Sequence, residues 1–141
     1  MPISDYPFTI MAPGHPARPM LPVRIFNPAT GKSINSLGLI DTGADECAIP
    51  AQYANILGHS LSAGNVKQIN TGNGATNAYT HTTRIDILGL NGAMAVVHTI
   101  NDTPIDFMPN LGVILLGANN FLSRFILTIN YPSQKFSIKL P

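Results

Sequence analysis

The sequence predicts a mostly-β, single-domain fold: a closed or partly open β-barrel with one short helix near the C-terminus. Three observations lead there. Short apolar or alternating runs recur along the 141 residues, most of them ended by glycine, asparagine or proline. The pairs Asn73-Gly74 and Asn91-Gly92 mark tight hairpin turns, because both residue types accept positive φ. A hydrophobic fraction of 45% provides one core, and the length fits one domain.

Six of the 12 prolines fall within the first 22 residues. Proline fixes φ and lacks the amide proton, so residues 1–21 form an extended arm in which a central strand is not expected. This arm precedes a domain at 22–141. Its simplest role is to lie, ordered or frayed, over the barrel; a linker or a segment removed on maturation is the sharper alternative.

Residues 23–26 read as a strand, 27–32 as its turn and 34–40 as the returning strand, which delivers the chain to Asp41. Residues 48–57 are mildly apolar and contain a short helical turn after Pro50; 58–64 is loop. A long hairpin occupies 66–90, with its tip at 71–74. After Asn91-Gly92, residues 93–100 form a strand and Asn101-Asp102-Thr103-Pro104 a loop. Residues 113–116 are a buried strand, and 119–125 a short helix with Asn119 or Asn120 as N-cap. A last hairpin pairs 125–129 with 135–140 around a turn at 130–133. No internal repeat is present.

Charged residues make up 11% of the chain and the net charge is +1, which gives no general attraction to nucleic acid or an anionic membrane. Low charge and a mean hydropathy of +0.17 point to surface hidden in an oligomer. Cys47 is the sole cysteine, so no intrachain disulfide and no cysteine zinc cluster can form. It reads as a small buried thiol. His15, His59, His81 and His98 lack metal-ligand spacing, and neither a metal nor a cofactor is expected. Residues 1–11 have no basic stretch followed by an apolar one, and no apolar run reaches membrane-spanning length. A soluble, cytoplasmic protein is the expectation.

The chemistry concentrates in Leu39-Ile40-Asp41-Thr42-Gly43-Ala44-Asp45, followed by Cys47-Ala48-Ile49-Pro50. A buried strand ends by placing one carboxylate on a glycine-bearing turn. Far downstream, Val113-Ile114-Leu115-Leu116-Gly117 runs into Ala118-Asn119-Asn120-Phe121-Leu122. These two segments resemble the anchors of the retropepsin-like aspartic peptidases, the family of retroviral proteases and their cellular and bacterial relatives. The resemblance spans residues 22–140 and is most specific at those anchors.

What the resemblance implies is an aspartic endopeptidase. Such enzymes hold two carboxylates so close that both cannot ionise together; the pair titrates as a unit and activates a water. This chain offers one Asp-Thr-Gly. Its near-copy Asp102-Thr103-Pro104 fails, because proline cannot supply the amide or the open backbone of glycine. The implied enzyme is therefore a symmetric homodimer with one Asp41 from each subunit and a peptide or protein substrate. By resemblance, Thr42 and Gly43 brace the turn across the dimer axis, and Ala44 and Asp45 line the substrate backbone. Gly72, Asn73 and Gly74 form a flap tip that closes over the peptide. Val113 and Leu115 wall the subsites, Gly117 and Asn119 begin the helix behind the turn, and the terminal hairpin joins the dimer sheet. With Ile49, these walls imply apolar side chains flanking the scissile bond.

One departure stands out. Retroviral members often carry an arginine after the glycine matched by Gly117, where it pairs with the acidic residue matched by Asp45. Here it is Ala118. Either Arg124 or another basic residue replaces it, or the turn is braced differently. A non-catalytic dimerisation or peptide-binding module on the same fold is the alternative function, although an intact Asp-Thr-Gly-Ala favours the enzyme.

Overall fold

The structure, a computed structural model, describes residues 3–71, 74–89 and 95–141. It contains strands β1 (Ile3–Pro7), β2 (Met20–Asn27), β3 (Lys32–Ile40) and β4 (Ala48–Pro50), then the helix α1 (Tyr53–Leu57). Next come β5 (Asn65–Thr71), β6 (Gly74–Leu88), β7 (Val96–Met108), β8 (Ile114–Leu116), β9 (Ile126–Asn130) and β10 (Lys135–Lys139). The main sheet runs β2-β3-β8-β4-β7-β6-β5, and an additional β2–β6 pairing closes its first six strands into a barrel. A smaller sheet has the order β1-β10-β9.

The barrel fills with the residues the alternation assigns to one face. Val23, Ile25, Ile49, Ile85, Ile87, Ile105, Phe107 and Leu116 are each at most 1% exposed. Ile3, Phe136 and Ile138 bring the smaller sheet into the same core. β1 lies within the proline-rich arm; it occupies an edge of its sheet, the position where proline is tolerated. The segment after it is tied back by reciprocal backbone bonds between Thr9 and Arg18, at 2.8 and 2.9 Å.

β6 changes partners along its length. Residues 74–80 pair with β5 as a hairpin, whereas Phe26–Val23 of β2 pair with Arg84–Ile87 of β6 and close the barrel. β7 follows β6 from Tyr79 to Leu88. The tip residues Gly72 and Asn73 and the Asn91-Gly92 turn lie outside the described residues.

Three local expectations change. The expected loop at 101–104 is continuous strand within β7. One extra residue enters β7 between the pairs Thr83–Thr103 and Ile85–Ile100, and Asp102 takes φ 51, so a bulge absorbs what reads as loop. Pro104 is tolerated because β4 covers only Asp106–Met108 of the other edge of β7. The segment 48–57 divides into β4 and α1, and α1 ends on Gly58 at φ 79. Its last carbonyl, Leu57 O, accepts from Asn27 Nδ2 at 2.9 Å and Thr30 Oγ1 at 2.8 Å, so the β2–β3 turn caps it. The helix expected at 119–125 is a 3₁₀ turn, Leu122–Arg124, whose N-cap position is Phe121 rather than an asparagine. Asn120 at φ 64 interrupts the backbone before an α-helix can start.

Candidate active site

β3 carries the chain out of the barrel and stops at Ile40. Asp41 follows, half-buried, with its amide donating to Leu116 O at 3.1 Å. The next residues turn sharply: Ala44 N donates to Asp41 O at 3.2 Å, and Gly43 N donates to Asp41 Oδ1 at 3.0 Å. The second bond fixes the carboxylate from within its own loop. Thr42 and Gly43 are exposed, which leaves this face of the loop open.

β8 is the element behind the loop. It lies between β3, to which it runs parallel, and β4, to which it runs antiparallel. Gly38 allows the first contact: a Cβ there would come within 2.8 Å of Leu116 Cδ1. At the end of β8, Gly117 lies against the backbone of the loop. A Cβ on it would collide with the Glu46 carbonyl and fall 2.8 Å from Ala44 O. Beyond it, Ala118 N donates to Ala44 O at 2.8 Å and Asn119 N to Asp45 O at 2.7 Å. Asn119 Nδ2 donates to Glu46 Oε1 at 3.1 Å.

These bonds answer how the loop is held without an arginine after Gly117. The brace is backbone amides and one asparagine amide. Arg124 is engaged elsewhere, donating through Nε to Asn120 O at 3.0 Å. Among the described residues, no hydrogen bond or ion pair reaches the Asp45 carboxylate. Cys47 follows the loop into the core. Burial pushes its thiol up to about 11, partly opposed by its hydrogen bond with the Gly117 backbone, so it is inert at neutral pH.

A cleft of about 550 Å³ opens beside the loop. Its lining includes Gly43, Ala44 and Asp45 of the loop, Ala48 of β4, Leu115 of β8 and residues 67–70 of β5. Asp41 itself lines a neighbouring depression with Arg18, Pro19 and Tyr131. Of the other expected site residues, Val113 lies on a third cleft with Met20 and Leu39, and Gly74 on a fourth below the hairpin. Gly72 and Asn73 are outside the described residues. Ile49 is not a wall at all: it is 0% exposed in the core, because neighbouring strand residues face opposite sides and Ala48 takes the cleft side.

The cleft also contains a polar constellation that sequence reasoning missed. Lys67 Nζ lies 2.9 Å from Asp106 Oδ2, and Thr80 Oγ1 donates to Asp106 Oδ1 at 2.9 Å. The Asp106 side chain is 4% exposed and that of Lys67 43%. These residues come from β5, β6 and β7, and only cross-strand register brings them together. Among the described residues, no group of three or more potential metal ligands occurs, and no helix is long and apolar enough to cross a membrane.

Comparison with known proteins sets this geometry in context. No protein-family model matches the chain. No curated protein matches it either. Solved structures do, among them a retropepsin-like aspartic protease from Rickettsia conorii. The two superimpose with a TM-score of 0.66 over 96% of this chain and 98% of the other, at 16% sequence identity.

Proposed function

On this retropepsin-like fold, we propose that the chain is an aspartic endopeptidase that acts as a homodimer. The observation that carries the reading is the placement of Asp41. A fixed carboxylate lines a depression beside the cleft, on the one Asp-Thr-Gly loop of a chain that shares its fold with an aspartic protease. One chain supplies one such carboxylate, and the chemistry needs two, so the second comes from another copy.

In this mechanism the ionised Asp41 takes a proton from a water held between the two carboxylates. The water's oxygen attacks the peptide carbonyl, and the protonated Asp41 donates a hydrogen bond to the developing oxyanion. A proton then passes to the leaving nitrogen as the C–N bond breaks. Thr42 and Gly43 brace the dimer axis, and Ala44 and Asp45 align the substrate backbone along the cleft. The β5–β6 hairpin, with Gly72, Asn73 and Gly74 at its tip, closes over the peptide and excludes water.

The test is cleavage of a diverse peptide mixture from about pH 3 to pH 7, with wild type beside Asp41→Asn. The expected result is a bell-shaped profile in wild type and a loss of at least about a thousandfold in the variant. Sedimentation should show a dimer under the assay conditions. Equal background cleavage by both proteins at every pH would replace this reading with a peptide-binding module.

A further inference from the structure

The chain is poor in charge, yet its cleft is not. Only seven residues of the whole chain are acidic, and three of them, Asp45, Glu46 and Asp106, line this one cavity. Lys67 is the single basic residue on its wall. Its ammonium is committed to Asp106 at 2.9 Å, and the two oxygens of that buried carboxylate are taken by Lys67 and Thr80. That pair is electrically closed. The remaining two carboxylates differ from it: Glu46 accepts only the neutral amide of Asn119, and Asp45 has no partner among the described residues. Among the described residues, neither makes an ion pair.

From this we infer that the cleft selects a basic side chain, lysine or arginine, at one position of the bound peptide. Deepening the peptidase reading, this rests on the cleft being the peptide site. A cation entering the cleft meets two uncompensated carboxylates, whereas an acidic side chain adds a third negative charge. An apolar side chain of the same length desolvates Lys67, Glu46 and Gln68 without offering them a bond. The apolar lining residues Ala48, Leu115 and Met108 suit the aliphatic stem of lysine or arginine, leaving its head for the carboxylates. Asp45 is the specificity-determining residue. Glu46 is held by Asn119 and contributes field more than contact.

Binding tests this separately from turnover. The full-length Asp41→Asn protein is titrated by fluorescence anisotropy with labelled octapeptides on an alanine–leucine frame. Each position in turn carries lysine, norleucine or glutamate. At one position or more, lysine should bind about tenfold more tightly than norleucine, with glutamate weakest. That ranking should collapse in Asp45→Asn and shrink at high salt. Norleucine binding best at every position, a ranking that survives both Asp45→Asn and Glu46→Gln, or no binding by any peptide would overturn the inference. Wild-type cleavage of the same peptides separates the two readings. Cleavage without charge preference leaves the peptidase standing and removes the selectivity, while selective binding without cleavage does the reverse.

Discussion

The Asp41 loop and the β5–β6 hairpin face each other across one cleft, and they are built in opposite ways. The loop is clamped from behind. Four backbone amides, of Asp41, Ala44, Ala118 and Asn119, bond within it or between it and the end of β8, and Gly117 lies against its carbonyls. Residues 74–78 of the hairpin pair only with β5, since β7 joins β6 from Tyr79 onward, and β5 exposes Val66 at its root, at 57% exposure. One ion pair, Lys67–Asp106, ties β5 across β6 to β7. The difference teaches where rigidity is placed. A group that must sit opposite its twin is over-determined, and the element that must admit a peptide is held by few bonds.

The comparison breaks most severely at Gly117. Replacing it with alanine forces a Cβ into the Glu46 and Ala44 carbonyls, which cannot retreat without moving the loop. The expected cost is about 2–3 kcal/mol, read as a lower denaturation midpoint with an unchanged slope. Amide exchange at 41–46 should rise with it, while exchange in the hairpin stays as it was.

Lys67→Met tests the other side. It leaves the Asp106 carboxylate buried without its cation, a loss moderated because Lys67 is itself partly exposed. About 1–2 kcal/mol is expected, with faster exchange confined to β5 and the facing half of β6. Unchanged exchange in β5 would show that the pair does not fasten the hairpin.

The smallest effect sharpens the boundary between the two regions. His59 stacks on His81 with ring centroids 4.5 Å apart, at the root of the hairpin. Burial, and secondarily the His81 charge, lowers its pKa below the ordinary value of 6.5. A lowered folded pKa means that the unfolded chain binds the proton more readily. The contribution is therefore complete above pH 6.5 and is lost as pH falls below it toward the folded value. Thermal melting at about pH 7.5 and about pH 5 should show a gap in wild type that narrows in His59→Phe. An equal gap in both proteins would place the acid sensitivity elsewhere.

Much of this could be read from sequence because it is local. Leu39-Ile40 before Asp41 and the apolar run before Gly117 announce two buried strands, and the structure sets them side by side as β3 and β8. Asn and Gly mark the hairpins. What escaped depends on neighbours distant in the chain. Asn101 to Pro104 has turn composition, yet β6 holds it in a strand through a bulge. Lys67 and Asp106 are separated by two strand crossings, so no spacing rule links them. Ile49 reads as a cleft wall in the sequence, but the pairing of β4 turns it into the core and leaves Ala48 on the cleft side. The polarity of the cleft was hidden for the same reason.

The bulge at Asn101-Asp102 has a wider consequence. It shifts the pairing of β6 with β7 by one residue where β6 leaves its β2 partner and runs on toward the hairpin with β5. Residues added to or removed from 67–71 and 74–78, which pair only with each other, leave the barrel seam untouched when changed in matched pairs. The span of the hairpin is thus an independent dimension of the architecture, open to change by insertion or deletion while the frame beneath keeps its shape.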